Sequence, residues 1–519
     1  MSCFNIRWLL ALSWLVTSFV TSYAAASSFR LKNLQVEYEQ TPLGIDVETP
    51  RFSWQMEASD DSSRGLVQKA YRLTVTDEYG ANLWDSKKIS SDVSLNIEYS
   101  GRPLKAATRY SWTVCVWDTK GKEVSASSWF ETGLMCKDDT DGIWAGAKWI
   151  GVEDHDQALY SHYLPVYRVD FTLQLDRQSN STRAGFIYGA NDDRLMNRFK
   201  NQYHLQNGKD ESYVMIELDI APLASGKEAQ LNVYRAGYHP KDRKGVPLKT
   251  FSISASLINE GNRYEKHPVV LTSDLGFTRI YIQGDREQNK IGEINLNPLG
   301  QGGDFIAFPV LADIGYSLPE GQIAAFSDVK IRHFRAPSNV IRTLDVQTDS
   351  HSFRTFDPSE NAMPMLRTVF VADKSEIKKA RLYITSRGIY EPYLNGQRIG
   401  KDYFNPGMTQ YNKMHLYQTF DVTEYIRPGR NALGALLAEG WWSGGCTFMG
   451  EFWNYFGDRQ SLLAKLVISY KDGTEKTVVT NPSEWTYFND GPVQYGSFFQ
   501  GEVYDALKEK QIENWSMPE

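Results

Sequence analysis

A strand–turn–strand pattern between residues 380 and 400 restricts this 519-residue chain to a small set of folds. Leu382 and Ile384 alternate with polar neighbours, as expected for a strand with one buried face. Asn395-Gly396 then supplies a turn, because a type I′ turn needs positive φ at both central residues and these residue types tolerate it. The segment is therefore predicted to be a β-hairpin.

Segments of the same kind recur through the first two thirds of the chain. Each one is apolar or alternating over strand length, and Gly, Asn, Asp, Ser or Pro residues separate it from the next. They cover residues 50–55, 70–76, 109–118, 167–175, 183–188, 213–220, 231–234, 251–257, 277–283 and 328–334. The chain is therefore predicted to be all-β and to consist of several β-sandwiches.

The length of the chain indicates the number of domains, and its charge restricts the classes of partner. A chain of 519 residues is long enough for three or four domains of roughly 150 residues each, with sizeable cores. The formal net charge of −7 argues against a nucleic-acid partner, which would require a basic face. Aromatic residues make up 13% of the chain, which fits either sugar binding or aromatic sandwich cores.

Residues 1–26 have the three parts of a secretory signal peptide. Arg7 provides a positive charge, residues 8–20 form an apolar core too short for a typical membrane span, and residues 24–26 form a small-residue cleavage site. The protein is therefore predicted to be exported to the periplasm or the extracellular space, without a membrane span.

Three cysteines remain after this segment, namely Cys115, Cys136 and Cys446. Their spacing matches neither a zinc site nor a disulfide scaffold. One disulfide bond, such as Cys115–Cys136, remains an open alternative.

Ordered motifs in the last part of the chain carry a family resemblance. They are the hairpin around Asn395-Gly396, Pro406-Gly-Met-Thr-Gln-Tyr411, Asp421-Val-Thr423, Gly440-Trp-Trp442 and Gly501-Glu-Val-Tyr-Asp-Ala506. This series resembles the N-terminal β-sandwich module of bacterial α-L-rhamnosidases of glycoside hydrolase family 78. The motifs at 42–46, 83–86 and 110–118 are similar to the leading module of the same enzymes.

The resemblance implies a division into domains. Residues 27–135 are expected to form an immunoglobulin-like or fibronectin-like sandwich, and residues 143–163 plus 337–507 a discontinuous jelly-roll. The intervening residues 164–336 are expected to form an inserted sandwich of the concanavalin or laminin-G type, since insertions in surface loops are thermodynamically cheap. Residues 508–519 are expected to begin a linker to an (α/α)6 catalytic barrel that this chain lacks.

Family membership implies inverting hydrolysis of terminal α-L-rhamnosyl residues of plant polysaccharides or glycosides. Inversion needs two carboxyl groups about 6.5–9.5 Å apart, and the family carries them in the barrel. We therefore expect this chain alone to be inactive, to have no catalytic residues and to supply accessory modules that contact rhamnose-containing glycans. The alternative is a non-catalytic carbohydrate-binding protein.

Candidate contact residues cluster in the jelly-roll motifs. Trp441 and Trp442 offer flat apolar faces for sugar stacking, although a core position or a barrel interface is the favoured interpretation. The full set, for sugar contact or for the interface, is Tyr390, Asn395, Trp441, Trp442, Glu502, Tyr504 and Asp505. Uncovered apolar groups among them predict self-association through this face.

No cofactor is predicted, and calcium is left as an open alternative. The loop Asn191-Asp-Asp-Arg194 is a candidate for calcium chelation or sugar binding. A solvated turn is the favoured interpretation, because Asn and Asp favour turns.

Overall fold

The computed structural model describes residues 29–61, 64–135, 142–197, 199, 205, 207–298, 309–346, 348, 352–373, 376–446 and 453–519. The predicted signal peptide and Cys136 lie outside these ranges, whereas Cys115 and Cys446 are free thiols. The chain divides into two compact units, Met1–Asp138 and Asp139–Glu519. Within the part described, no helix has the length and apolarity needed to cross a membrane.

The first unit is a small antiparallel sandwich. One sheet has the order β1-β2-β6 and the other β4-β3-β7-β8, with β5 paired to β3. Its core includes Trp54 and Trp112, which are buried. The strands are β1 (Phe29–Val36), β2 (Arg51–Ala58), β3 (Gln68–Asp77), β4 (Asn82–Asp85), β5 (Ile89–Ser90), β6 (Ile97–Glu98), β7 (Arg109–Asp118) and β8 (Glu123–Glu131).

The second unit contains an inserted sandwich of two six-stranded antiparallel sheets. Its strands are β9 (Val166–Leu175), β10 (Arg183–Ala190), β11 (Tyr213–Asp219), β12 (Ala229–Ala236), β13 (Lys249–Ile253), β14 (His267–Asp274), β15 (Phe277–Ile282), β16 (Lys290–Asn295), β17 (Asp313–Ser317), β18 (Ala324–Arg332), β19 (Val340–Leu344) and β20 (Phe353–Phe356). The sheet orders are β13-β12-β11-β10-β17-β20 and β16-β15-β14-β9-β18-β19. A four-residue helix α1 (Asp193–Met196) follows β10.

The inserted sandwich extends beyond the boundary expected at residue 336. β19 pairs with β18, and β20 pairs with β17, so both strands complete the sheets of the insert. Its strands therefore run from Val166 to Phe356.

The rest of the second unit is the jelly-roll. Its strands are β21 (Met365–Ala372), β22 (Ile377–Arg387), β23 (Ile389–Leu394), β24 (Gln397–Arg398), β25 (Gln418–Asp421), β26 (Gly429–Ala438), β27 (Ser461–Tyr470), β28 (Glu475–Val479), β29 (Thr486–Phe488), β30 (Val493–Ser497) and β31 (Gly501–Tyr504). A five-stranded sheet β24-β23-β26-β21-β29 faces a four-stranded sheet β25-β22-β27-β28 across an apolar core, and β30 pairs with β31. The all-β prediction is confirmed.

Short 3-10 helices complete the described secondary structure, at Asp154–Asp156, Ser161–Tyr163, Ala221–Ser225, Glu287–Asn289, Thr423–Tyr425 and Ala506–Ile512. The predicted hairpin is present as β23 and β24. Asn395 and Gly396 have φ values of 51° and 83°, as the type I′ turn requires.

The segments that enter and leave the insert lie side by side at Leu159 and Glu360, and we call this pair of segments the neck. Leu159 and Glu360 form an isolated antiparallel bridge, with N–O distances of 2.9 and 3.0 Å. Trp453, from the jelly-roll side, packs into the core of the insert and is 4% exposed. The two sandwiches therefore share a hydrophobic contact in addition to the neck.

Candidate functional site

The outer face of the five-stranded jelly-roll sheet forms the floor of a groove with a volume of about 440 Å³. Successive side chains of a strand point to opposite faces, so on β23 Tyr390 packs into the core while Glu391 and Tyr393 face outward. Leu436 of β26 and Met365 of β21 complete the floor. The strand pairing thus places these four side chains of three strands side by side.

Aromatic side chains form the walls of this groove. Tyr403 and Phe404 rise from the loop after β24 and are 67% and 57% exposed. Glu502 and Tyr504 of β31 line the opposite part, and both are exposed. The groove is therefore apolar with a few polar groups, as small-molecule sites commonly are.

The last residues of the chain close one end of the groove. The Trp515 ring occupies the space that a side chain at Gly434 would need, and it packs edge-on against Tyr393 with ring centroids 5.3 Å apart. Gly396 N donates to Ser516 O at 3.1 Å. Residues 508–519, expected to begin a linker, therefore pack onto the sheet.

A small polar network borders the floor. Tyr393 Oη donates to Glu391 Oε2 at 3.2 Å, and Arg398 Nε lies 3.4 Å from the same oxygen. Burial, reinforced by the nearby Glu391 charge, raises the pKa of Tyr393 to about 12. The Arg398 guanidinium also lies 4.5 Å from the centre of the Tyr403 ring, so the wall and the floor are held together.

Two of the predicted contact residues serve the fold. Tyr390 Oη donates to Gln418 Oε1 at 2.6 Å from a buried position. Asn395 Nδ2 donates to Asn431 Oδ1 at 2.7 Å, and Asn395 Oδ1 accepts from Ala432 N at 2.9 Å. The buried amide of Asn395 ties the turn to β26 and faces away from any ligand.

Trp441 and Trp442 lie in a loop after β26, so the alternation expected on a strand does not apply to them. Trp441 packs on Phe498 at 4.2 Å between ring centroids, and Phe498 contacts Phe404 of the groove wall at 4.8 Å. Trp441 therefore extends the aromatic wall. It is half-buried rather than fully exposed.

Trp442 belongs to a separate cluster. Its Nε1 donates to Arg459 O at 3.0 Å, and its ring fills the space where a side chain at Gly457 would lie. Tyr411 packs edge-on at 5.6 Å, and the Arg387 guanidinium lies 5.3 Å from the ring centre. Trp442 is half-buried, as Trp441 is, and its contacts lie away from the groove.

The predicted contact residue Asp505 and the neighbouring acid Glu439, which precedes the Gly440-Trp-Trp442 motif, also have structural surroundings. Asp505 caps the 3-10 helix Ala506–Ile512 by accepting from Leu507 N at 3.0 Å. Glu439 is half-buried beside a cavity of about 50 Å³, and burial raises its pKa to about 7. A raised pKa is typical of catalytic acids, but this cavity has room for a few waters and none for a sugar.

The loop after β10 forms a turn, but the prediction that it is solvated is wrong. Asn191 and Asp192 are buried. Both oxygens of Asp192 accept from Arg194, and Asn191 Nδ2 donates to Asp313 Oδ2 at 2.8 Å. The contact from Asn191 links the end of β10 to β17, whereas the contacts of Asp192 stay within the turn.

Sequence reasoning missed several polar and aromatic residues that line the groove, among them Glu391, Tyr393, Tyr403, Phe404 and Trp515. The alternation of inward and outward side chains along β23 was enough to find Glu391 and Tyr393, because residues adjacent to a core position on a strand face outward. Tyr403, Phe404 and Trp515 reach the groove only through the folding of loops and the C-terminal segment, which carry no periodic signal.

Comparisons with known proteins agree with this architecture. Residues 375–519 match the model of the α-L-rhamnosidase N-terminal domain, and residues 31–136 match that of the Rha78A-like N-terminal immunoglobulin domain. An α-L-rhamnosidase of Streptomyces avermitilis is 30% identical over 514 residues, which cover 95% of this chain and 44% of that protein. An α-L-rhamnosidase of Alteromonas sp. strain LOR is 40% identical over 173 residues, 33% of this chain and 18% of that protein.

A solved structure shows the same relationship. The crystal structure of the Streptomyces avermitilis α-L-rhamnosidase complexed with L-rhamnose superimposes with a TM-score of 0.55 at 27% identity. The match covers 94% of this chain and 44% of that chain. This chain therefore spans less than half the length of the Streptomyces protein.

Proposed function

The chain belongs to the α-L-rhamnosidase family through these modules, and we propose that it is the N-terminal accessory part of an exported α-L-rhamnosidase. The collinear match to the Streptomyces protein over 95% of this chain is the observation that supports this most directly. The complete enzyme would hydrolyse terminal α-L-rhamnosyl residues of plant polysaccharides or glycosides with inversion.

In this proposal the two carboxyl groups that perform the hydrolysis lie outside the described residues. An inverting glycosidase needs an acid and a base about 6.5–9.5 Å apart across an open cleft. Glu439 faces a water-sized cavity, Asp505 caps a helix, and Glu391 is engaged by Tyr393 and Arg398. These three carboxyl groups are therefore not arranged as an acid and a base across a cleft.

The aromatic groove is the surface through which we propose that this chain contacts glycan. The C–H faces of a sugar pack well on aromatic rings such as Tyr403 and Phe404, and the carboxylates of Glu391 and Glu502 can accept hydrogen bonds from sugar hydroxyl groups. A volume of about 440 Å³ accommodates one or two sugar rings. A carbohydrate-binding role without catalysis by this chain follows from the same groove.

Two measurements on the purified protein test these proposals. The chain should release no rhamnose from an aryl α-L-rhamnoside, and it should bind L-rhamnose in isothermal titration calorimetry. Glu391→Gln and Tyr403→Ala should each weaken binding at least several-fold, with Tyr79→Ala, an exposed tyrosine of the first unit, as the matched control.

The outcomes separate the two proposals. Turnover that disappears on replacing any Asp or Glu of this chain would contradict the accessory assignment. Unchanged binding by both groove variants would remove the groove as the glycan contact and leave the family assignment intact.

A further inference from the structure

Trp515 and Glu502 mark the two ends of the groove. β26 forms part of the floor, and the Trp515 ring lies over Gly434 at one end. Four residues further along β26, a Cβ at Gly496 of β30 would lie 3.2 Å from that of Ala438, and Gly496 pairs with Glu502. At about 3.3 Å per residue of strand, the two ends are roughly 13 Å apart. The groove is therefore long enough for two sugar rings, and Glu502 lies beside the second.

The two carboxylates that line the groove differ in how their charge is balanced. Arg398 Nε lies 3.4 Å from Glu391 Oε2, so the charge of Glu391 is partly offset. Glu502 is exposed, and within the described part of the chain no basic side chain forms an ion pair with it. The described residues that line the groove include no lysine, arginine or histidine. The charge of Glu502 is therefore not compensated inside the groove.

A second acid lies close to the same wall. Tyr504 Oη donates to Glu509 Oε1 at 2.8 Å. This hydrogen bond raises the pKa of Tyr504, and the charges of Glu509 and Glu502 act in the same direction. Lys508, the basic neighbour of Glu509 in the sequence, is paired with Asp490. The β31 wall of the groove is therefore negatively charged.

We propose that the groove selects neutral rhamnosides, in which the sugar next to the terminal rhamnose carries no carboxylate, and that Glu502 is the residue that determines this specificity. The inference rests on the proposed role of the groove as the glycan contact. Rhamnose is a neutral deoxy sugar, and its methyl group suits the apolar end formed by Trp515 and Tyr393. The neighbouring sugar then lies at the Glu502 end, where the carboxylate of a uronic acid would meet a like charge.

The ionic strength separates this electrostatic exclusion from a steric one. Glu502 is exposed, so dissolved ions reach its charge. The Debye length falls from about 10 Å in 0.1 M salt to about 3 Å in 1 M salt. Discrimination by charge should therefore shrink in concentrated salt, whereas a poor steric fit would not change.

The test compares two disaccharides with the same linkage, α-L-rhamnosyl glucose and α-L-rhamnosyl glucuronate, by isothermal titration calorimetry on the full chain. In dilute salt the wild type should bind the neutral disaccharide at least about fivefold more tightly. Glu502→Gln should reduce this ratio of Kd values at least about threefold. The ratio is the readout, because a general loss of affinity in the variant cancels from it.

The matched control is Glu320→Gln, which makes the same change of charge in an exposed turn between β17 and β18 of the inserted sandwich. This variant should keep the wild-type ratio. Tyr403→Ala should weaken both disaccharides alike, because Tyr403 belongs to the wall of the groove. Near-ultraviolet circular dichroism checks that each variant is folded.

Each contrary outcome has a separate meaning. Equal affinities of the wild type for the two disaccharides would overturn the neutral preference and leave the groove as the glycan contact. A preference that persists in Glu502→Gln or in about 1 M NaCl would overturn the role of Glu502. Binding of neither disaccharide, or binding that Tyr403→Ala does not weaken, would contradict the glycan contact itself and this inference with it.

Discussion

At the scale of single residues, Glu439 should give this protein a distinctive pH dependence. Its carboxyl contacts Tyr495 Oη at 2.9 Å, and burial raises its pKa from 4.5 to about 7. The other titratable groups lining the same cavity are Tyr160, Tyr163, His333 and Asp458. Burial lowers the pKa of His333 to about 4, so this ring stays neutral over the range in which Glu439 titrates.

The sign of the effect follows from proton linkage. Between pH 4.5 and 7 the folded protein holds a proton on Glu439 that the unfolded chain has lost, so this group lowers stability as pH rises through that window. The variant Glu439→Gln keeps the shape of the side chain, but its amide group cannot ionise. The free energy of unfolding of the variant minus that of the wild type should therefore increase by on the order of 2 kcal/mol from pH 5 to pH 8. Urea titrations at both pH values measure this difference, and a difference that is the same at pH 5 and pH 8 would contradict it.

The adjacent tryptophans should respond differently to truncation. Trp442 is half-buried and contacts Tyr411, Arg387 and the backbone at Gly457, so Trp442→Ser should lower the free energy of unfolding by about 3 kcal/mol. Trp441 packs mainly on Phe498, so Trp441→Ser should cost about 1 kcal/mol. Chemical denaturation of both variants checks this, and similar losses would show that the two rings have equivalent surroundings.

At the scale of elements, the strongest sequence signals gave correct strands. The hairpin β23–β24 was predictable because Asn395 and Gly396 accept positive φ. The strands β19 and β20 were missed because they are short strands at sheet edges, where a strand pairs on one side only. β19 buries only Ile341, and β20 has exposed or half-buried side chains throughout, so neither sequence shows an extended alternation.

The groove was only partly predictable for a similar reason. Glu502 and Tyr504 were found through a motif, and both line the groove. Tyr390 and Asn395 lie in equally distinctive motifs but serve the core and the turn. A motif marks residues that a fold needs, and only the packed structure separates those that face a ligand from those that face the interior.

The neck makes the inserted sandwich removable. Leu159 and Glu360 are hydrogen-bonded neighbours, so a short Gly/Ser linker can replace residues 161–358 without moving either flank. We expect the shortened protein to keep a cooperative thermal transition for the jelly-roll. Trp453→Ser should accompany the deletion, because this ring loses its contacts in the core of the insert. A broad, non-cooperative transition in calorimetry would show that the jelly-roll depends on the insert.

At the scale of the whole molecule, several large apolar side chains in and beside the groove are exposed. Tyr403, Phe404 and Tyr504 are 67%, 57% and 48% exposed, and Leu507 in the following 3-10 helix is 89% exposed. Contiguous apolar patches of more than a few hundred Å² are unusual on soluble monomers and mark surfaces that bind other molecules. The same surface would serve for contact with another part of a complete enzyme.

The purified chain should therefore self-associate through the groove face. We expect its sedimentation coefficient to rise with concentration, and the double variant Tyr403→Ser with Phe404→Ser to remove this dependence while leaving the melting temperature within about 2 °C. These rings are mostly exposed, so their loss removes little burial within one molecule. Tyr79→Ser is the matched control, since Tyr79 of the first unit is 84% exposed and should not affect association. Association that persists in the double variant but disappears with Tyr79→Ser would assign the contact to the immunoglobulin-like unit instead.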